Sequence, residues 1–212
     1  MKYHKIQTVF LRDPDTKFKT LLTGMYSKEE FSFLTNNLWV FTEKVDGTNI
    51  RVMWDGETVI FGGKTDNAQL FAPLVKRLQE QFPSKNMANA FDRGDVILYG
   101  EGFGAKIQKG GGNYISDGVD FVLFDVNVGG IWLDRKNVED IASKLNCLIV
   151  PIVGTGTLKE GIAMTANGFD STWGGFKAEG LVMRPIIELK NRTGERIITK
   201  IKCKDFSFDS MS

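Results

Sequence analysis

A lysine at the end of an apolar segment is the feature of this sequence with the clearest chemical potential. Lys44 follows the segment Trp39–Glu43, and Asp46 and Gly47 come directly after it. A lysine at a rigid strand end can be partly desolvated and placed beside other cations. Both effects disfavour its charged form and leave a nucleophilic amine. Gly47 would let the backbone approach a ligand closely. The alternative for these residues is a hairpin with a surface lysine.

Two more lysines alternate in a β-type segment near the end of the sequence, at Lys200 and Lys202. Side chains of a strand alternate between its two faces, so both lysines would project from the same face. Two cations on one face suit a phosphate group, whose negative charge they can stabilise. The alternatives are a solvated basic face and an edge strand protected by lysines.

Carboxylates also lie at the ends of apolar segments. Glu101 follows one apolar segment, Glu179 precedes another, and Asp46 belongs to the turn after Lys44. Carboxylates with water between them suit Mg²⁺, which keeps most of its hydration shell and takes few direct protein ligands. We therefore expect Mg²⁺, with Mn²⁺ as a substitute, at Asp46, Glu101 and Glu179. Ion pairing with the lysines is the alternative.

Six segments resemble, in order, the motifs of the covalent nucleotidyltransferases, the superfamily of ATP-dependent DNA ligases, RNA ligases and mRNA capping enzymes. The residues from Lys44 to Gly47 match its Lys-x-Asp-Gly signature. The resemblance runs from Glu43 to Lys204, which is most of the chain. The six segments are Glu43–Asn49, Gly63–Thr65, Tyr99–Gly104, Phe121–Val126, Ala178–Arg184 and Thr199–Lys204.

This resemblance implies that Lys44 is a nucleophile that takes AMP from ATP and holds it covalently. Lys200 and Lys202 are then the catalytic cations at the α-phosphate. Glu179, in a Glu-Gly-Leu core similar to the fourth motif, is implied to serve both the nucleotide and the metal. The cofactors implied are ATP and a divalent cation.

Further nucleotide contacts follow from the resemblance. Glu101 is implied to contact the ribose, and Phe124 to stack on the purine. Glu43 is the residue whose neighbourhood reads the adenine edge, which favours ATP over GTP. Lys64 stands where the family usually carries a basic residue that contacts the phosphates, and many relatives have arginine there. Lysine lacks the bidentate fork of arginine, so we expect looser contacts there.

The position five residues after Lys44 separates branches of the superfamily. DNA ligases and capping enzymes generally carry arginine there, whereas this chain has Asn49. In having asparagine at this position, the chain resembles the RNA ligases that repair nicks in duplexes, which are found in phages and in trypanosome editing machinery. Arg51 lies two residues further on the same strand face and could share the phosphate-binding role.

The resulting prediction is an ATP-dependent RNA ligase that joins 5′-phosphate to 3′-hydroxyl ends. Three alternatives stay open: a DNA nick-sealing ligase, a nucleic-acid end-binding module without turnover, and an adenylyltransferase competent only for the first step. The expected partners are nucleic-acid ends or nicks, in RNA or an RNA-containing duplex. We expect no membrane association and a monomer.

The fold class predicted from the sequence is α+β, with mainly antiparallel sheets and flanking helices, because short β-type runs outnumber helical segments and do not alternate with them regularly. The resemblance implies an ATP-grasp-like nucleotidyltransferase domain. We expect one domain over residues 1–212, without an appended C-terminal domain. Predicted strands are Trp39–Glu43, Asn49–Trp54, Thr58–Phe61, Val96–Tyr99, Phe121–Val126, Gly180–Arg184 and Arg196–Lys202. Predicted helices are Leu70–Phe82, Asn137–Leu145 with Asp134 or Asn137 as its cap, and Leu158–Ala166.

Composition places the chain in a reducing setting. Its 212 residues carry a formal net charge of +1. The two cysteines show neither metal-ligand spacing nor a disulfide framework, and no signal-peptide core is present. We therefore expect a cytoplasmic protein, with a phage as one source.

The glycine-rich stretch from Lys109 to Asn113 lacks Walker spacing, so we expect a flexible surface loop that could touch nucleic acid.

Overall fold

The computed structural model describes residues 1–206 as an α+β protein. Its strands are β1 (Gln7–Thr8), β2 (Phe10–Arg12), β3 (Leu21–Tyr26), β4 (Leu38–Glu43), β5 (Thr48–Trp54), β6 (Val59–Gly62), β7 (Val96–Gly104), β8 (Val119–Val128), β9 (Ile131–Trp132), β10 (Leu148–Ile149), β11 (Ile152–Thr157), β12 (Gly180–Pro185) and β13 (Thr199–Lys202). Its helices are α1 (Glu29–Phe33), α2 (Ala72–Gln81), α3 (Ser84–Ala90), α4 (Gly111–Tyr114), α5 (Arg135–Lys144) and α6 (Leu158–Asn167), followed by a 3₁₀ turn over Cys203–Asp205.

The chain divides into two compact units, each with its own sheet and core. One unit, here the Lys44 unit, contains Lys5–Lys44 and the described residues from Pro151 onwards. The other, here the Asn49 unit, contains Met1–His4 and Val45–Val150. The chain passes from one unit to the other after His4, after Lys44 and after Val150.

The Lys44 unit is built on a five-stranded sheet in the order β1-β13-β12-β4-β11. All neighbours are antiparallel except β1 and β13. Trp39 and Phe41 of β4 are buried in its core together with Leu181 of β12. Helix α6 contacts this sheet and begins at a capping box, in which Thr157 accepts from the Glu160 amide and Glu160 accepts in return. The sheet places the ends of β4, β12 and β13 side by side.

The Asn49 unit is built on a six-stranded sheet in the order β10-β8-β7-β5-β6, with β9 on β8. All neighbours are antiparallel except β8 and β10. Alternate residues of β5, including Ile50 and Val52, are buried in a core that also contains Leu74 and Leu78 of α2. Because side chains alternate along a strand, the other face of β5 carries Asn49 and its neighbours at i+2.

The predicted fold class is confirmed, and most predicted elements are present with shifted ends. Asp55 and Gly56 form the turn between β5 and β6: Asp55 accepts from the amides of Glu57 and Thr58, and Gly56 has a φ of +108°. One strand is shorter than predicted. It begins at Thr199, because Arg196 instead pairs with Lys190 in an isolated bridge. Strands β1–β3 were not predicted: β1 and β2 have only two and three residues, and β3 shows no regular alternation of apolar and polar residues.

Candidate active site

Lys44 is held where β4 runs past β12. The Lys44 amide donates to the carbonyl of Gly180 at 2.9 Å, which continues the pairing of the two strands beyond Glu43. Gly180 is required here because a Cβ on it would lie 2.1 Å from the carbonyl oxygen of Ile201 in β13. The same tight packing of three strands brings Glu179, directly before Gly180, beside Lys44.

Glu179 bridges two lysines. Its Oε2 lies 2.7 Å from Nζ of Lys44, and its Oε1 lies 2.5 Å from Nζ of Lys202. The three side chains are 11%, 18% and 25% exposed, in the order Glu179, Lys44 and Lys202. One carboxylate thus faces two cations in a setting with reduced access to water, where charge–charge interactions are stronger than in bulk solvent. We call Lys44, Glu179 and Lys202 the lysine–glutamate triad.

Lys200 lies on the same face of β13 as Lys202. Both lysines are partly exposed, whereas Thr199 and Ile201 between and beside them are buried. This is the alternation expected of a strand. Lys200 pairs in register with Val182 of β12, and Lys202 pairs with Gly180. The sequence therefore predicted correctly that the two cations share a face.

Glu43, directly before Lys44, is hydrogen-bonded to a loop of its own unit. The residue is 1% exposed. Its Oε1 accepts from the Ser171 hydroxyl at 2.5 Å, and its Oε2 accepts from the Thr172 amide and hydroxyl at 2.9 and 2.7 Å. Three hydrogen bonds satisfy the oxygens of this buried carboxylate and fix the loop that supplies them. The adenine contact expected at Glu43 stays a prediction, and the carboxylate oxygens already have protein donors.

In the Asn49 unit, Asn49 of β5 lies directly opposite Glu101 of β7. Directly opposite residues of an antiparallel pair share a face and are within contact distance. Oδ1 of Asn49 is buried and accepts no hydrogen bond from the residues that the structure describes. A buried acceptor without a donor costs free energy, so a ligand donor there would be favourable. Asn49 and Glu101 are thus two predicted site residues that the fold does bring together.

The turn formed by Asp46 and Gly47 packs against β7. A Cβ on Gly47 would lie 2.3 Å from the Gly102 carbonyl oxygen and 2.7 Å from Cγ of Glu101. The close approach that this glycine permits is therefore to the neighbouring strand. The backbone amide of Asp46 donates to the hydroxyl of Tyr114 at 3.1 Å.

Arg51 is buried, which the sequence did not indicate. Its side chain is 3% exposed, with Nε donating to the Gly63 carbonyl at 2.8 Å and Nη2 bound to Asp66 at 2.9 Å. The pKa of Asp66 is lowered by Arg51 and by Lys2. Arg51 therefore fixes the segment that carries the exposed Lys64, and its guanidinium is not presented to solvent as a phosphate ligand would be.

Phe124, the predicted stacking surface, belongs to an aromatic cluster on β8. Its ring centre lies 5.1 Å from that of Tyr3 in an edge-to-face arrangement. The Tyr3 hydroxyl donates to the fully buried Asp125 at 2.6 Å, and the Tyr99 hydroxyl donates to the Met1 carbonyl at 3.0 Å. The first residues of the chain are therefore anchored beside Phe124, which is half-buried.

The predicted metal ligands belong to different units: Asp46 and Glu101 to the Asn49 unit, and Glu179 to the Lys44 unit. No group of three or more His, Cys, Asp or Glu side chains with the spacing of a metal site occurs within residues 1–206. Asp46, Glu101 and Glu179 stay predicted as ligands that act singly or through water. A hydrated Mg²⁺ needs only one or two protein carboxylates, because substrate phosphates and waters complete its shell.

Several residues around these positions had no signal in the sequence. Ser171 and Thr172 bind Glu43 from 128 and 129 residues away in the chain. Gln108 and Tyr114, which directly flank the stretch 109–113 that was expected to be a flexible loop, bind the turn after Lys44. The only signal in the sequence for the Tyr114 contact was a tyrosine next to a run of glycines.

None of the helices within residues 1–206 has the length and hydropathy needed to cross a membrane.

Known proteins similar to this chain are RNA ligases. An apo variant of the Naegleria gruberi RNA ligase is 19% identical with a TM-score of 0.66, over 84% of this chain and 53% of that one. A variant of the same protein with AMP and Mn is 17% identical with a TM-score of 0.69, over 95% and 56% of the two chains. A variant with ATP and Mn is 19% identical with a TM-score of 0.65, over 82% and 52%. The chain thus spans about half the length of these proteins.

A search of curated proteins by sequence gave no match. The family model described as RNA ligase matches residues 37–202, which is well over half of the chain and contains the lysine–glutamate triad. The solved structures show the same nucleotidyltransferase fold. The chain belongs to the RNA ligase family.

Proposed function

We propose that this chain is the nucleotidyltransferase part of an ATP-dependent RNA ligase, with Lys44 as the residue that carries AMP. The observation that supports this most directly is the lysine–glutamate triad, which places the signature lysine beside a carboxylate and a second cation. Membership of the RNA ligase family supports it independently.

In the first step, Nζ of Lys44 attacks the α-phosphorus of ATP. The N–P bond forms as the bond from the α-phosphorus to the bridging oxygen breaks, and pyrophosphate leaves. Glu179 Oε2, at 2.7 Å from Nζ, is placed to accept the proton that the amine loses. The product is a Lys44–AMP phosphoramidate.

Lys202 and Lys200 supply positive charge on one strand face. Negative charge accumulates on the phosphate oxygens and on the leaving pyrophosphate, and fixed cations stabilise it without reorganisation. In the conformation described, Glu179 neutralises part of the charge of Lys202. Binding of a triphosphate would therefore exchange one anionic partner of Lys202 for another.

The Asn49 unit is proposed to supply nucleotide contacts. Asn49 has a buried oxygen in need of a donor, Glu101 lies opposite it, and Lys64 is exposed next to the segment that Arg51 fixes. Phe124 offers an aromatic face for adenine, where stacking is worth about 1–3 kcal/mol per base. Family resemblance supports each of these roles.

A divalent cation fits this donor set. Structures of the Naegleria gruberi RNA ligase with ATP or AMP contain Mn. Single carboxylates at Asp46, Glu101 and Glu179 match the few protein ligands that Mg²⁺ or Mn²⁺ takes beside phosphates. When bound, such a cation neutralises charge that develops on the transferring phosphate.

Sealing would take two more steps. AMP passes from Lys44 to the 5′-phosphate end of a strand, and a 3′-hydroxyl then attacks that activated phosphate and releases AMP. RNA is the preferred substrate in this proposal, because Asn49 stands where DNA ligases carry arginine. An adenylyltransferase that needs further residues for sealing is the second candidate, since the chain spans about half the length of its structural relatives.

The test is incubation with α-labelled ATP and Mg²⁺, followed by a denaturing gel. The wild type should retain label that acid removes and excess pyrophosphate releases, whereas Lys44→Ala should retain none. Label on Lys44→Ala equal to that of the wild type would refute the proposal. Sealing of preadenylylated nicks then separates a complete ligase from the second candidate.

A further inference from the structure

The residues after Lys44 are packed from one side by β7. Gly47 lies so close to this strand that a Cβ on it would meet the Gly102 carbonyl oxygen and the Glu101 side chain. Thr48, the next residue, pairs in register with Gly102. Strand β7 therefore fixes one side of the turn and leaves the backbone polar groups of Asp46 and Gly47 to be bound from elsewhere.

The connection from β7 to β8, residues 105–118, is a closed and internally bonded loop. Its ends meet where the Ala105 amide donates to the Gly118 carbonyl at 2.8 Å. Gly111 is buried in its centre, where a Cβ would lie 2.0 Å from the Gly104 carbonyl oxygen. The short helix α4 then places Tyr114 against Phe103, with ring centres 5.7 Å apart. This loop is thus an ordered element with a defined orientation.

Two side chains of this loop bind the backbone of the turn. The Tyr114 hydroxyl accepts from the Asp46 amide at 3.1 Å, and Gln108 Nε2 donates to the Gly47 carbonyl at 3.2 Å. One hydrogen bond satisfies a donor and the other an acceptor of consecutive residues. Both backbone groups would otherwise need water or another partner, because a turn has no strand neighbour at these positions.

We propose that Tyr114 and Gln108 are positioning residues for adenylyl transfer, acting through the turn at Asp46 and Gly47. Neither touches the reacting atoms. They restrict the backbone of Asp46 and Gly47, which Val45 alone separates in the chain from Lys44, the proposed nucleophile. Catalytic geometry tolerates little displacement, since a misplacement on the order of 1 Å lowers rates by about 10²-fold. The inference rests on the proposed function.

The first variant is Tyr114→Phe, which removes the hydroxyl and keeps the ring that packs on Phe103. We expect the rate constant of Lys44–AMP formation at saturating ATP to fall about tenfold, because a small displacement of the nucleophile lowers the rate. The KM for ATP and the thermal midpoint should stay near their wild-type values. Amide hydrogen exchange at Asp46 should become faster, because the amide loses its acceptor.

The matched control is Tyr26→Phe. The Tyr26 hydroxyl accepts from Thr35 instead of binding the turn, so its loss should change neither the rate constant nor exchange at Asp46. Gln108→Ala is the second variant; its side chain is exposed, so the fold should tolerate it, and it should lower the rate constant in the same direction.

The outcomes separate this inference from the proposed function. Absence of label on the wild type would refute the function itself. If the wild type is labelled normally, either of two results would overturn the inference alone. One is unchanged amide exchange at Asp46 in Tyr114→Phe, and the other is an unchanged rate constant in both variants. Faster exchange with a lower rate constant and an unchanged KM for ATP would support it.

Discussion

Nζ of Lys44 lies 2.7 Å from Oε2 of Glu179, on a carboxylate whose other oxygen is held by Lys202. The lysine that we propose as the nucleophile is therefore oriented by an ion pair within its own unit. Partly buried ion pairs of this kind restrict the side chains that form them. The arrangement explains how a flexible four-carbon side chain can have a fixed direction at the end of β4.

Replacing Lys202 with methionine should slow AMP transfer without removing the protein's fold. The change deletes one cation beside Glu179 and keeps most of the side-chain volume. We expect the single-turnover rate constant of adenylylation to fall on the order of 10²–10³-fold, the range for removing one group that stabilises transition-state charge. Lys204→Met, on the exposed 3₁₀ turn, is the control and should be near wild type. Equal rate constants for the two variants would exclude a catalytic role for Lys202.

Glu43→Gln distinguishes a base-reading residue from one that holds a loop. The carboxylate of Glu43 accepts from Ser171 and Thr172, and an amide can replace only part of this network. We expect the rate constant for adenylylation to fall while the preference for ATP over GTP is kept. Competition between labelled ATP and GTP measures the preference. A collapse of the ATP preference would show instead that the side chain reads adenine.

Gly47→Ala should destabilise the protein, because its Cβ would lie 2.3 Å from the Gly102 carbonyl oxygen. Overpacking against backbone costs about 1–3 kcal/mol in the free energy of unfolding. Gly112→Ala is a matched control, since nothing lies within 4 Å of the added atom. Urea unfolding of both variants measures the difference. Equal unfolding free energies would show that the turn is not packed on β7 as described.

Alkaline pH should destabilise the Asn49 unit through Tyr99. Burial raises the pKa of Tyr99 from 10.0 to about 12, with a further contribution from Asp125 and against the effect of Arg51. The unfolded state therefore loses this proton first, so Tyr99 contributes stability below about pH 10 that is lost as pH rises to about 12. The loss amounts to roughly 2–3 kcal/mol.

Tyr99→Phe provides the measurement for this pH effect. The variant lacks the hydroxyl, so its unfolding free energy should fall less steeply than that of the wild type between about pH 10 and 12. Other groups that titrate in this range are common to both proteins and cancel in the comparison. Parallel pH profiles would contradict a raised pKa for Tyr99.

Much of the site could be predicted from local sequence because it depends on strand periodicity. Lys200 and Lys202 share a face since they are two residues apart in β13, and Lys44 was recognisable from the apolar segment before it and the glycine after it. The pairing of Lys44 with Glu179 was open as an alternative to metal binding, and the described conformation has the ion pair.

The contacts that could not be predicted join residues far apart in the chain. Tyr3 reaches Asp125 across 122 residues, and Ser171 reaches Glu43 across 128. No periodic pattern marks such pairs, because each depends on the full three-dimensional arrangement of its unit. Arg51 shows the same limit: a charged residue on a polar strand face is expected to be exposed, but the Gly63 carbonyl and Asp66 make its burial favourable.

The most direct test of the central claim locates AMP on the chain. Wild-type protein is incubated with ATP and Mg²⁺, digested without acid exposure because a phosphoramidate is acid-labile, and mapped by tandem mass spectrometry. We expect one AMP adduct, on Lys44, in the peptide that contains the Lys-Val-Asp-Gly sequence. An adduct on Lys200, Lys202 or any other residue, with Lys44 unmodified, would contradict it.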